Sequence, residues 1–399
     1  MLKFYHKKLK NDLTLFVIKT KKLSSLDITL YVKTGSIYEN KNNNGISHLL
    51  EHLLFLKTKQ PRLNLVALDI YPYTRKDFTY FEITTHKDLL NVGLSTLFSV
   101  ITFPDFTKKN FSIIKNVVKE ELVEFYENPY DVLNQKIDAY LYKNNSLALN
   151  IGGNEKSIDN ISISGLEDWY NNYYHPNNML LTLVGNININ ETVKKINNIL
   201  RLNSLPENKN IDKNTNKIIY PATTSKPIHL KNNISFQQTY LAFVFPTSGI
   251  DSQNYINFVL LGDILNKKIR QTFENSGLFY DIQLYYHQYL NTGEFRIITA
   301  CKKNNVDIIY KKIDSFIKNN KISISSFEKI KKYIEYQFIL KENHVDELSS
   351  LSLYLLKNNP KLITLEDEIK TIKNIKFNEI NQIKIKFFNK KNSYFFIMN

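Results

Sequence analysis

GISHLLEHLLF, residues 45–55, decides how the rest of the chain is read. The leucines at 49, 50, 53 and 54 recur at helical spacing, which predicts an amphipathic helix. On such a helix His48 and His52 are one turn apart on a single face, with Glu51 beside them. Two imidazoles and a carboxylate in that order form the H-x-x-E-H arrangement of an inverted zincin, in which two histidines hold a metal and the acid serves as base. A helix with two structural histidines is the competing reading.

Working outward, SSLDITLYVKTGS (24–36) reads as a strand, and a polar loop, IYENKNNN, joins it to the histidine helix. YTRKDFTYFEITTH (73–86) is rich in β-branched and aromatic residues and reads as a strand or hairpin. FSIIKNVVKEELVEFY (111–126) has helical periodicity that ENP ends, and NMLLTLVGNI (178–187) reads as a buried strand. The helix at 111–126 is expected to carry an apolar stripe through Phe111, Ile114, Val117, Val118, Leu122 and Phe125. Glu121 lies two turns after Ile114 and so is expected on the interior side, where a cation would offset the cost of burying a carboxylate.

A catalytic zinc takes three protein ligands and leaves a place for water. A nearby carboxylate then accepts the proton of that water. Residues 202–228 are polar, proline-containing and aperiodic, as a linker would be. After them QQTYLAFVFPTSGIDSQNYINFVLLGDIL (237–265) repeats the order strand, loop, apolar helix, this time without histidine. Two related halves are therefore expected, with the chemistry in the first.

Composition narrows the class. The chain has 399 residues, 43% hydrophobic and 23% charged, as in globular proteins rather than disordered ones. No apolar run reaches the length of a membrane span, and the N-terminus lacks the apolar core of a signal peptide. The lone cysteine, Cys301, excludes an intrachain disulfide framework and leads to an expected cytoplasmic location. The net charge of +15 is spread over scattered lysines. Without a recognisable nucleic-acid motif it reads as a solvated basic surface, or as attraction of an acidic peptide, rather than nucleic-acid binding.

VKTGSIYENKNNNGISHLLEHLLF (32–55), VVKEELVEFYENP (117–129), YPYTRKDFTYF (71–81) and IGGNEKSIDNISISGLEDWYNNYYHPNNMLLTLVGNI (151–187) together resemble the pitrilysin/insulinase metallopeptidases of family M16. The chain is most similar in length to the short, mitochondrial-processing-peptidase-like members. The resemblance implies zinc ligation by His48, His52 and Glu121, with Glu51 as general base. It implies an α+β fold of two homologous domains, each a mostly antiparallel sheet covered by helices on one side. The expected division is 1–205 for the metallopeptidase domain, 206–228 for the linker and 229–399 for a homologous domain without a metal motif.

Substrate peptides are expected to add as a strand to a sheet edge, for which Phe78 to Thr84 is the candidate, with Phe78, Thr79, Tyr80 and Tyr280 as substrate-binding residues. Three positions depart from the family pattern. Ile114 replaces a glutamate seven residues before the ligand glutamate, Tyr71-Pro72 replaces Asn-Ala, and Phe273 stands where an arginine pairs with Tyr280. The expectation is a zinc endopeptidase cutting short unstructured peptides, with peptide maturation as its setting. A second related chain would supply the Arg/Tyr pair, with a homodimer as the alternative assembly. A non-catalytic binding or scaffold subunit of the same fold is the first alternative, and a basic nucleic-acid-binding protein the second.

Overall fold

The computed structural model describes residues 2–56, 68–202, 205–211, 218–224, 226–232, 236–250, 252, 254–273, 276–279, 281–289, 291–356 and 364–399. In chain order the first half runs β1 (Lys3–Lys8), β2 (Thr14–Lys19), β3 (Ser25–Val32), α1 (Ile46–Phe55), β4 (Asp69–Thr74), β5 (Thr79–His86) and α2 (Leu90–Thr102). It continues with α3 (Lys108–Glu127), α4 (Pro129–Leu141), α5 (Glu155–Asn160), α6 (Ile163–Tyr173), β6 (Met179–Gly185) and α7 (Ile189–Leu202). The second half runs β7 (Ile228–Leu230), β8 (Thr239–Thr247), α8 (Tyr255–Phe273), β9 (Ile282–Gln288), β10 (Gly293–Cys301), α9 (Val306–Asn319) and α10 (Ile324–Leu340). It closes with α11 (Val345–Ser349), α12 (Leu353–Leu356), α13 (Leu365–Asn374), α14 (Phe377–Phe387) and β11 (Tyr394–Met398).

Two compact units result. Unit 1 comprises Met1–Phe125, Tyr142–Lys217 and Leu340–Leu356; unit 2 comprises Tyr126–Leu141, Ile218–Ile339 and Lys357–Asn399. The sheet of unit 1 has the order β1-β2-β6-β3-β5-β4 and that of unit 2 the order β7-β11-β8-β10-β9. Apart from β1 the two are topologically equivalent. In each, the first and last strands of the repeat pair in parallel and the remaining pairs are antiparallel. The duplication read from the strand–loop–helix order is thus present in strand order too, and α8 occupies the place that α1 holds in the first repeat.

In unit 1 the alternation of β3 sends Leu26, Ile28, Leu30 and Val32 into the core, against Leu49, Leu50, Leu53 and Leu54 of α1 and Leu94, Leu97, Phe98 and Ile101 of α2. Burying each such side chain contributes about 1.5–3 kcal/mol, so α1 is held by its leucine face. The opposite face of β3 carries Asp27, Thr29 and Tyr31, all buried. Unit 1 draws the cover for this face from late in the chain, where Val345, Leu348, Ser349 and Leu351 are buried and Ser349 Oγ lies 3.4 Å from Thr29 Oγ1. Unit 2 draws on α4, from early in the chain. Tyr130 stacks edge-on against Tyr240, Tyr140 against Phe396, and Asp138 and Asn134 bind Arg296 of β10.

Two expectations need correction. The stretch from Phe78 to Thr84 is not a sheet edge: β5 pairs with β3 on one side and β4 on the other, and β4 is the outer strand among the described residues. On α3 the buried stripe is Ile114, Val118 and Leu122, spaced at i, i+4 and i+8, while Val117 points outward. Among the described residues no helix is long and apolar enough to cross a membrane.

Candidate metal centre

The start of α1 is fixed by a buried acid. Glu39 accepts hydrogen bonds from Gly45 N (2.7 Å) and Asn44 Nδ2 (2.9 Å) at one oxygen and from Ser47 N (2.9 Å) at the other. These N–H groups have no partner inside the helix, and a carboxylate at this end also complements the helix dipole. Gly45 has φ of 95°, and a Cβ there would stand 2.6 Å from Ile158 Cδ1 and 2.9 Å from Gly152 O. Only glycine serves at this tight entry. Sequence reading missed the role of Glu39; its signal was an acid six residues before a helix-opening glycine.

From this anchor His48 and His52 point toward Glu121 of α3. His48 Nε2 and His52 Nε2 are 3.2 Å apart, and Glu121 Oε2 lies 3.5 Å from the first and 3.2 Å from the second. Ligand atoms about 2.0–2.1 Å from a tetrahedral zinc stand about 3.4 Å from one another, so the three donors fit that ion. They form the one His/Cys/Asp/Glu group able to hold a metal among the described residues. Glu121 is half-exposed rather than interior, because position i+7 from Ile114 falls at the margin of the buried stripe.

The charge states also suit a metal. Burial, with the nearby His52, lowers the His48 pKa to about 4, so the ring is neutral at pH 7, the form that ligates. Partial burial pushes the Glu121 carboxyl up, yet His52 and His48 together hold it below the usual carboxylate range. Glu51 is buried beside this group and receives the Thr74 hydroxyl at 2.8 Å. Burial raises its pKa, against the opposing pull of His52 and Thr74.

The other sequence candidates are scattered differently. Phe78 and Thr79 are buried, Thr79 donating to Thr34 O at 3.0 Å, and Tyr80 is half-buried against Tyr73. Tyr280 lies outside the described residues. Phe273 is buried at the end of α8 with its ring 5.0 Å from Phe279 and 5.8 Å from Phe316, so its place is apolar core. Ile114, where the family pattern has an acid, is core as well. Among the described residues Nδ1 of His48 has no hydrogen-bond partner, although ligating histidines ordinarily use that atom to fix the ring.

Residues 15–155 match the family described as insulinase (peptidase family M16), and residues 160–334 match the family's inactive domain. The chain belongs to the M16 peptidases. A zinc protease of Bacillus subtilis is 22% identical over 90% of this chain and 88% of its own length. A Rickettsia bellii zinc protease is 23% identical over 78% and 76%. The β subunit of the mitochondrial-processing peptidase from Caenorhabditis elegans is 26% identical, over 43% of this chain and 39% of that one. A Helicobacter pylori protease shares this chain's fold, with a TM-score of 0.87, 18% identity and coverage of 100% and 99%.

Proposed function

We propose that this M16 chain is a zinc-dependent endopeptidase for short, unstructured peptides, acting as the catalytic subunit of a heterodimer. The convergence of His48, His52 and Glu121 beside the buried Glu51 carries the reading. Zinc held by these three residues would lower the pKa of a bound water and polarise the scissile carbonyl. Glu51 would take the proton of the attacking water and return it to the departing amine. Thr74 holds Glu51 in place through its hydroxyl.

The peptide main chain would add to β4. Arg75 N donates to Phe78 O at 2.8 Å, so the odd-numbered residues bond toward β5 and the even-numbered ones face the open edge. Pro72 has no N–H to offer, and its position on the outward-facing set fits an edge strand. Three outward carbonyls (Ile70, Pro72, Thr74) and two outward N–H groups (Ile70, Thr74) would remain for a substrate.

A partner chain enters because Phe273 is packed among aromatic rings, so the cationic half of an Arg/Tyr pair is absent at that place. A relative named as a β subunit supports the same reading. The net charge of +15 supports an acidic peptide as substrate; peptide maturation is the setting this proposal adds. The domain division 1–205, 206–228 and 229–399 belongs to this proposal.

A non-catalytic subunit is the second reading, favoured by the match of residues 160–334 to an inactive domain and by Phe273. The test is zinc content and peptide cleavage of the chain alone and mixed with a related chain carrying the Arg/Tyr pair. Cleavage that requires both chains and is abolished by a chelator supports the proposal. Full activity of the isolated chain removes the heterodimer, and no zinc with no cleavage removes the peptidase.

A further inference from the structure

The edge that leads to the metal centre is aromatic. Tyr71 and Tyr73 are two residues apart on β4, so both side chains leave the same face of the sheet. That face is the one away from α1, since Thr74, on the other, reaches Glu51. The two rings are 57% and 50% exposed. Tyr80 stands directly opposite Tyr73 on β5, its ring stacked at 5.8 Å and 22°. Behind it lie Tyr31, 5.6 Å away, and Phe78, 6.1 Å away, both buried. The rings form a ladder that is packed on its inner side and open at the edge.

A strand added to β4 places its own alternate side chains beside Tyr71 and Tyr73, with Cβ atoms about 4.5–5.5 Å apart. Aromatic and β-branched side chains gain most from such cross-strand neighbours, while small polar ones leave the rings wet. Beside Tyr73 a cationic residue is disfavoured, because the Arg75 guanidinium already sits 5.1 Å from that ring centre. We propose that Tyr71 and Tyr73 select peptides bearing aromatic or β-branched side chains at two positions two residues apart. The inference rests on the peptidase reading and names the substrate class of that same site.

The test uses the full-length, zinc-loaded Glu51→Gln protein, so that binding is read without cleavage. Fluorescence anisotropy would compare labelled peptides of one length carrying Phe and Val, two serines or two lysines at the alternate positions. The Phe/Val peptide should bind about tenfold tighter than either the serine or the lysine peptide. Adding Tyr71→Ser and Tyr73→Ser should reduce the preference to less than about twofold, while Tyr71→Phe and Tyr73→Phe should keep it. Both side chains are half-exposed, so the substitutions spare the core. Equal binding of all peptides, or a preference unchanged by the serine variants, overturns the inference. Preference without cleavage by the native chain, even with a related chain carrying the Arg/Tyr pair present, would remove the peptidase reading alone, and cleavage without preference would remove the inference alone.

Discussion

Thr74 Oγ1 donates to Glu51 Oε2 across 2.8 Å, which ties the last residue of the outer strand to the buried acid of the histidine-bearing helix α1. Strand and helix therefore meet at the atom proposed to move the proton. Replacing Thr74 by valine keeps the shape and removes the donor. A hydrogen bond to a charged group contributes about 1.5–3 kcal/mol, so kcat should fall about tenfold to a hundredfold. Zinc content should stay at the native level, and Thr74→Ser should restore most of the rate. Steady-state kinetics with metal analysis of the three proteins checks this.

Nδ1 of His48 lacks a partner among the described residues, and Gly152 sits next to it: a Cβ added there would lie 3.7 Å from that atom and make no contact under 3.4 Å. Gly152→Ser should be tolerated and offer a hydroxyl to Nδ1. Partners of this kind change metal affinity about 10–100-fold when removed, so supplying one should tighten zinc binding, by about tenfold at most. Competition with a chromophoric chelator reads the change. Gly152→Ala, which fills the same space without an acceptor, should leave affinity as it is.

Asp27 and Glu82 share the face of the unit 1 sheet that residues 345–352 cover. Burial, then the charge of Glu82, raises the pKa of Asp27, with Asp346 adding to the rise and Ser349 and Thr29 opposing it through hydrogen bonds. Burial and Asp346 raise Glu82, which Asp27 opposes through a hydrogen bond. A carboxyl raised in the fold binds its proton more tightly there than in the unfolded chain. Its stabilising contribution is complete below the unfolded value near about 4 and is lost as pH rises through the folded value. Asp27→Asn should therefore matter little at about pH 4 and gain stability over the native chain toward about pH 7.5. Urea unfolding at both pH values decides it; an equal difference at the two contradicts the linkage.

Arg296 is buried in unit 2 between Glu294 and Asp138, with Nε to Glu294 at 2.7 Å and one terminal nitrogen to Asn134 at 2.8 Å. Arg296→Met leaves two acids without their cation and should cost about 3–5 kcal/mol in denaturant unfolding. Adding Glu294→Gln and Asp138→Asn should recover most of that loss. If the single substitution is neutral, the cluster is not what holds α4 against β10.

Much of this was legible in the sequence, because His48, Glu51 and His52 lie within one helical turn and a local period suffices to align them. Glu121 came from resemblance and register, and the register was one position off the buried stripe. Strand order was not legible: β4 and β5 have similar alternation, and which of them has a neighbour depends on contacts far along the chain. The same holds for α4 and residues 345–352, whose covered faces belong to units they do not adjoin in sequence. Glu39 was hidden because a capping acid in a loop looks like any solvated acid until the N–H groups it receives are known.

The most direct test of the central claim is a paired measurement of zinc and cleavage on the native chain and Glu51→Gln, each with any required partner present. The account predicts about one zinc per chain in both and peptide cleavage only in the native protein. Cleavage by Glu51→Gln at the native rate, or absence of zinc from the native chain, would contradict it.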